Sequence, residues 1–318
     1  MPAPVVDGLQ INNWDREILL ECRAGGIDAV NATCAVWGGA DETRAEIARL
    51  RALVEANADI AAIVERATDI DAAREAGRVG IILGFQNGSP FEDRLEHVAE
   101  FHALGVRVAQ LTYNARNLIG GACYDAVDEG LTPYGRDVIA EMNRVGMLID
   151  LSHVGDRTSR ETVEASAQPV AITHANPRSF VDVPRNKPDD VIRAVTERGG
   201  IIGVCLYPVV AGGADARIGD FAAMVLRLID EVGMDHVAIG SDCTRGWDRG
   251  YLLYLRAGRH EPLPGEELPE WPAWPAWFTG PADFPVLGER LAADGLAPAE
   301  VEQVLGGNWR RLLGEVVG

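Results

Sequence analysis

The stretch Gly146–Pro177, GMLIDLSHVGDRTSRETVEASAQPVAITHANP, decides the fold class because it contains two short apolar runs that each reach a histidine. The runs GMLIDLSH and PVAITHA have the length and aliphatic content of strands buried on both faces, and the polar segment between them is typical of a surface helix. The stretch therefore predicts two parallel strands joined by a helix, with His153 and His174 at the carboxyl ends of the strands. Binding groups gather at this end in parallel α/β folds.

Similar apolar runs recur along the chain and predict eight strands. They are PVVDGLQI, IDAVNATCAV, RVGIILGFQ, VRVAQLTYN, GMLIDLSH, PVAITHA, GGIIGVCLY and HVAIGSD. The segments between them, such as ADETRAEIARLRALVEAN, have helical periodicity. Eight strand and helix repeats favour a closed (β/α)8 TIM-type barrel of the α/β class. A doubly wound open sheet is the alternative, but no GxGxxG motif follows the first strand.

The whole chain, residues 1–318, is predicted to form one barrel domain, since this length suits a single α/β barrel. Residues 245–282 are rich in proline and tryptophan and are predicted to be irregular, whereas residues 283–318 are predicted to form closing helices. Three tryptophans lie at three-residue spacing in the irregular segment: Trp271, Trp274 and Trp277. We expect them to pack against the barrel or against a second subunit, which would make a homodimer, and not to form a ligand-binding stripe.

The composition excludes several classes of partner. The sequence has 29 Lys and Arg against 48 Asp and Glu, a net charge of −19, which repels nucleic acid and anionic membranes. We therefore expect a small-molecule substrate, with no nucleic acid and no membrane partner. The five cysteines form no CxxC pair, and there is no leader-like segment or long apolar stretch, so free thiols and a cytoplasmic location are expected.

Polar side chains follow most of the predicted strands, and a closed barrel brings them to one mouth. In chain order they are Gln86, Tyr113, Asn114, His153, His174, Tyr207 and Asp242. Two imidazoles on adjacent strands together with a carboxylate predict a metal site, with a metal-free pocket as the alternative. A bound divalent ion activates water and polarises a carbonyl, and Asp242 is placed to transfer the proton.

Several longer stretches resemble the renal (membrane) dipeptidases, metallopeptidase family M19, within the amidohydrolase-like barrels. They are GLTPYGRDVIAEMNRVGMLIDLSHV, ITHANPR, RNKPDDVIRAV, DHVAIGSD and VLGGNWRRLL. The resemblance implies that His153 and His174 bind one metal of a two-metal site and that Asp242 is the strand-eight aspartate. It also implies that Arg185 recognises a substrate carboxylate. Tyr113 stands where the family often has a substrate-contacting histidine, so Tyr113 and Asn114 are predicted to contact substrate.

The sequence departs from the family pattern at the other metal. The family begins with a strand similar to DGHNDLPW, whose His and Asp bind that ion, whereas Leu9 and Ile11 stand at these places here. Gln86 stands at or near the position of the bridging glutamate. We therefore expect one divalent ion at most, with zinc as the expected ion, bound by His153 and His174 with Gln86 or Asp242 assisting.

These residues predict a dipeptidase-like metallohydrolase. It would act on a small carboxylate-bearing amide, a dipeptide or an N-substituted amino acid, through a single metal-activated water. Two alternatives stay open at this point. One is a catalytically silent barrel that binds a small amino-acid derivative or a partner. The other is a metal-free enzyme in which Asp242 and the histidines perform acid and base chemistry alone.

Overall fold

The computed structural model describes residues 2–318, which form a parallel α/β barrel with one extra strand. The strands are β1 (Val6–Gln10), β2 (Ala29–Ala35), β3 (Ala61–Ile63), β4 (Val79–Phe85), β5 (Val106–Gln110), β6 (Leu148–Asp150), β7 (Ala171–Ile172), β8 (Ile201–Val204) and β9 (Val237–Ile239). Their order is β1-β2-β4-β5-β6-β7-β8-β9, and the short strand β3 pairs only with β4.

The two ends of this sheet meet just beyond β9. Gln10 lies opposite Cys243 in a parallel bridge, and the Ile11 amide donates to the Cys243 carbonyl at 2.9 Å. This contact closes the barrel, so the TIM-type prediction is confirmed and the open-sheet alternative is wrong. All eight predicted strands are the staves of the barrel, whereas β3 was not predicted because its three residues carry no pattern.

Helices lie between the strands and after the last one. They are α1 (Arg16–Ala24), α2 (Ala40–Ala56), α3 (Ala67–Glu75), α4 (Glu96–Ala103), α5 (Pro133–Val145), α6 (Asp156–Ala165), α7 (Asp189–Thr196), α8 (Pro208–Ala211), α9 (Ile218–Val232), α10 (Arg249–Ala257), α11 (Phe284–Ala293), α12 (Pro298–Glu302) and α13 (Asn308–Val316). No helix in residues 2–318 is both long and apolar enough to span a bilayer.

The amino end of the barrel is filled by helix α13. Each of the eight staves contributes one buried side chain to a layer beneath this helix: Val6, Ala29, Ile82, Val108, Leu148, Ala171, Ile201 and Ala238. Trp309 packs onto this layer, and its Nε1 donates to the Ile239 carbonyl at 2.8 Å. Gly8 makes the insertion possible, because a Cβ there would lie 2.2 Å from the indole. The barrel is therefore plugged at this end and open only at the other.

The proline- and tryptophan-rich segment is more ordered than the sequence suggested. Helix α10 lies inside residues 245–282 and was not predicted. Trp274 and Trp277 pack on the main core, and the Trp277 Nε1 donates to the Ala216 carbonyl at 2.7 Å. None of the three tryptophans lines the cavity described below, which favours packing over ligand binding. The homodimer stays a prediction. All five cysteines are free thiols.

Candidate active site

A cavity of about 630 Å³ opens at the carboxyl end of the barrel. Most of the predicted site residues line it: Gln86, Tyr113, Asn114, His153, Arg185, Tyr207 and Asp242. His174 lies beside them, with its ring centroid 5.2 Å from that of His153. The structure thus brings the residues predicted from seven separate strand ends and loops into one place.

Both histidines are buried and neutral. Burial lowers the pKa of His153 and His174 well below the usual value, and the positive charge of Arg185 lowers both further. The Nε2 atom of each ring is buried and has no hydrogen-bond partner among the described residues. An unpartnered buried nitrogen costs free energy, so two of them side by side need an explanation.

The hydrogen bonds of Asn114 indicate which nitrogen of His153 carries its proton. His153 Nδ1 lies 2.8 Å from Asn114 Oδ1, while Asn114 Nδ2 points to the Leu255 carbonyl at 3.5 Å. Because the amide oxygen can only accept, Nδ1 is the donor and Nε2 keeps its lone pair. This is the tautomer that binds a metal ion.

The described residues offer two imidazole nitrogens as ligands for an ion and no ligand atom at Leu9 or Ile11. Leu9 and Ile11, at the places of the first-metal ligands, are buried apolar side chains, 1 % and 4 % exposed. Within residues 2–318 no three His, Cys, Asp or Glu side chains come together as a metal site, so an ion bound here would have at most two ligands of these types. His153 and His174 do suit one ion, because two imidazoles that share a tetrahedral ion through Nε2 have ring centroids about 5 Å apart.

Gln86 can supply a further ligand atom at this place. Its Nε2 donates to Thr33 Oγ1 at 3.0 Å, which turns the amide so that Oε1 has no partner in the described chain. An amide oxygen binds a divalent ion without adding charge. The side chain therefore assists one ion but lacks the charge to bridge two.

Asp242 is a carboxyl group without strong hydrogen-bond donors. In the described residues the one hydrogen bond to its carboxyl group comes from Cys205 Sγ, 4.0 Å from Oδ2. Burial raises its pKa to about 7, against an opposing effect of Arg185. Its backbone has φ +56°, in the left-handed region that few non-glycine residues adopt. A carboxyl group with this pKa can both accept and donate a proton near neutral pH.

Arg185 is buried and fixed by the backbone of the two histidine strands. It donates to the Ser152 carbonyl at 2.8 Å and to the His174 carbonyl at 2.7 Å. These bonds use two of its five N–H groups, and the side chain also lines the cavity. A guanidinium group fixed in this way is suited to bind a carboxylate through two parallel hydrogen bonds.

The remaining wall of the cavity is mainly apolar and aromatic. Tyr113 stacks on His153 with ring centroids 4.2 Å apart, and Trp37 meets the edge of Tyr113 at 5.4 Å. Ile11, Leu252, Leu255 and Arg256 also line the cavity. We did not predict Trp37 or the α10 residues; the only available signal was the LLYL run of α10 inside a segment expected to be irregular.

The fold and these strand-end residues together define a TIM-type barrel with a candidate active site for an ion-assisted reaction. The family model for membrane dipeptidases, peptidase family M19, matches residues 18–249. The chain belongs to this family. The match begins after β1, the strand in which Leu9 stands.

Curated relatives carry dipeptidase names. An uncharacterized dipeptidase of Schizosaccharomyces pombe is 34 % identical over 180 residues, 54 % of this chain and 43 % of the relative. Dipeptidase tcpJ of Claviceps purpurea is 28 % identical over 229 residues, 71 % of this chain and 53 % of the relative. The chain thus matches about half the length of these relatives.

Solved structures share the fold over the full chain. An amidohydrolase from Pseudomonas aeruginosa has 36 % identity and a TM-score of 0.93, covering 99 % of this chain and 96 % of that one. A metallopeptidase from Rhodobacter sphaeroides, liganded with a phosphinate mimic of the dipeptide L-Ala-D-Ala, has 18 % identity and a TM-score of 0.82. It covers 99 % of this chain and 100 % of that one, and this likeness concerns the fold alone.

Proposed function

We propose that this protein hydrolyses the amide bond of a small carboxylate-bearing compound, a dipeptide or an N-substituted amino acid, with the help of one divalent ion. The observation that carries the proposal is the pair of buried, unpartnered Nε2 atoms on His153 and His174. They lie in one site with Asp242, whose pKa is about 7, and with the buried Arg185. Membership of the membrane dipeptidase family supports the same reaction class.

In this proposal His153 and His174 hold the ion, with Gln86 assisting, and zinc is the expected ion because of the imidazole ligands. When bound, the ion supplies a Lewis acid that polarises the carbonyl and makes water more acidic. Asp242 takes the proton of the attacking water at a carboxylate oxygen and returns it to the leaving amine. Its raised pKa suits both transfers.

Arg185 binds the free carboxylate of the substrate, and Tyr113 and Asn114 contact the rest of the molecule. The cavity also receives an apolar group, since Ile11 and Trp37 form part of its wall. Burial of the substrate against this wall excludes water from the reacting carbonyl, which strengthens the interactions of the charged groups.

The test combines ion binding with turnover. Chelator-stripped protein is titrated with Zn²⁺, and we expect one tightly bound equivalent that His153→Ala and His174→Ala each abolish. The loaded enzyme is then assayed on dipeptides and N-acyl amino acids. Asp242→Asn should lower kcat by roughly 10²- to 10⁴-fold, the usual value of general acid–base catalysis, while the ion is retained.

Three results would contradict the proposal in different ways. Two tightly bound equivalents would refute the single-ion site. Turnover without bound ion would favour a metal-free mechanism in which the histidines act as acid and base. No turnover across the panel with Zn²⁺, Mn²⁺ or Co²⁺ supplied would refute the hydrolase and leave a binding protein.

A further inference from the structure

Two buried carboxylates that the proposed reaction does not use, Asp7 and Asp150, occupy matching positions in the barrel. Asp7 lies within β1 and Asp150 is the last residue of β6, and each accepts the amide of the residue two places further on. Leu9 N lies 3.4 Å from Asp7 Oδ1, and Ser152 N lies 2.9 Å from Asp150 Oδ1. Both side chains are fully buried.

Each of these carboxylates also accepts hydrogen bonds from the neighbouring barrel strand. The donor is in each case the residue that precedes a proposed functional side chain. Asp150 accepts from Thr173 N at 2.9 Å and from Thr173 Oγ1 at 2.7 Å, next to His174. Asp7 accepts from Ser241 N at 2.7 Å and from Ser241 Oγ at 2.5 Å, next to Asp242. We call this arrangement a carboxylate clamp: an Asp that binds both the N–H and the O–H of a Ser or Thr.

The first clamp determines where His174 carries its proton. The Thr173 hydroxyl has one hydrogen, which it donates to Asp150 Oδ2. His174 Nδ1 lies 2.6 Å from the same hydroxyl oxygen and must then be the donor. Nε2 therefore keeps the lone pair that the ion needs, in a chain of carboxylate, hydroxyl and imidazole.

The second clamp holds Asp242 in its uncommon backbone conformation. Ser241 Oγ accepts from the Cys243 amide at 3.1 Å while it donates to Asp7, so hydrogen bonds fix the residues on both sides of Asp242. A φ of +56° costs free energy and persists only where the surroundings impose it. The clamp leaves the carboxyl group of Asp242 itself without strong donors.

We infer that Asp7 and Asp150 are positioning residues with separate tasks. Asp150 acts through the Thr173 hydroxyl to keep His174 in the ion-binding tautomer, and Asp7 acts through Ser241 to place the carboxyl group of Asp242. The inference rests on the proposed function for the meaning of the ion and the proton transfer. The proton position on His174 is independent of it and can be measured in the ion-free protein.

The first test reads the tautomer directly. The chain has six histidines, so ¹⁵N-histidine labelling gives few signals, and the His174→Gln spectrum identifies that of His174. In the ion-free protein, the native chain and Thr173→Ser should show the proton on Nδ1. Thr173→Val, which keeps the shape and loses the hydroxyl, should lose this preference.

Asp150→Asn should reverse the tautomer. The new amide would donate to the Thr173 hydroxyl, which would then give its hydrogen to His174 Nδ1 and leave the ring proton on Nε2. Zn²⁺ affinity should fall roughly 10- to 100-fold in Asp150→Asn and Thr173→Val and stay near the native value in Thr173→Ser. An unchanged tautomer and unchanged affinity in Thr173→Val would overturn the first task, even if Asp150→Asn fails to fold.

The second test separates the two clamps. Ser241→Ala should lower kcat at least tenfold with Zn²⁺ affinity and KM within about twofold of native, and Ser241→Thr should restore most of the rate. Weakened ion binding in Ser241→Ala, or a native rate, would overturn the second task. If the native protein turns over no substrate, the proposed function fails, while the spectra and the ion titration still decide the role of Asp150.

Discussion

At the scale of single residues, Lys187 is the most unusual group outside the site. It is the only lysine in the sequence, and its side chain is 1 % exposed. Its Nζ donates to the Val154 carbonyl and to Ser159 Oγ. Burial lowers its pKa from 10.5 to about 8. In the unfolded chain the pKa is near 10.4, so folding releases a proton between these two pH values.

This proton release makes stability depend on pH in a definite direction. Between about pH 8 and 10.5 the unfolded chain binds more protons than the folded chain, so Lys187 makes folding more favourable as the pH rises. Over this window the free energy of unfolding of the native protein should rise by on the order of 3 kcal/mol relative to that of Lys187→Met. The figure follows from about 1.36 kcal/mol for each unit by which the pKa is shifted. Urea unfolding at several pH values measures the difference.

The single lysine also allows a direct control. Labelling with ¹³Cε-lysine gives one resonance in this chain, whose midpoint we expect near pH 8. A midpoint above pH 10 would show that the ammonium group is solvated. The stability difference between native protein and Lys187→Met should then be independent of pH.

At the scale of elements, helix α10 forms one side of the cavity. Its Leu252 and Leu255 line the cavity, and the Leu255 carbonyl accepts from Trp37 Nε1 at 3.3 Å. The same helix approaches the end of β2, where Tyr254 Oη accepts from the Trp37 amide at 3.3 Å. In the proposed reaction, Leu252 and Leu255 would contact an apolar group of the substrate.

Shortening Leu255 should therefore change substrate preference. In Leu255→Ala we expect KM for substrates with a large apolar group to rise about tenfold, because the loss of one or two methylene contacts weakens binding by about this factor. The KM for glycyl substrates should change little. Leu253 is buried on the same helix but does not line the cavity, so Leu253→Ala is the matched control. Equal changes of KM for both substrate classes would argue against an apolar subsite on α10.

The staves and the site could be predicted because strand period and strand-end chemistry are local properties of the sequence. GMLIDLSH and PVAITHA place His153 and His174 without any tertiary information, and HVAIGSD does the same for Asp242. The clamps could not be predicted, because the contact of Asp7 with Ser241 joins residues 234 positions apart and depends on the closure of the barrel. Helix α10 was missed because the prolines that follow it, from Pro262 onward, led us to expect irregular structure throughout the segment.

At the scale of the whole molecule, the plug formed by α13 stabilises the end of the barrel opposite the site. Trp309 is 2 % exposed and contacts the layer to which all eight staves contribute. Trp309→Ala should lower the free energy of unfolding by about 3 to 5 kcal/mol, the usual range for a buried aromatic side chain. Denaturant unfolding with Trp271→Ala as the less buried control measures this, and equal losses in both variants would contradict the plug.

The position of α13 in the chain has a consequence for biosynthesis. The ribosome makes all eight staves before it makes the helix that covers their lower ends. A nascent chain at that stage exposes a ring of eight apolar side chains, from Val6 to Ala238, which is the kind of surface that chaperones bind and that aggregates when left uncovered. The layer of eight side chains can be covered only after Trp309 has left the exit tunnel, so folding of this end of the barrel must follow the synthesis of α13.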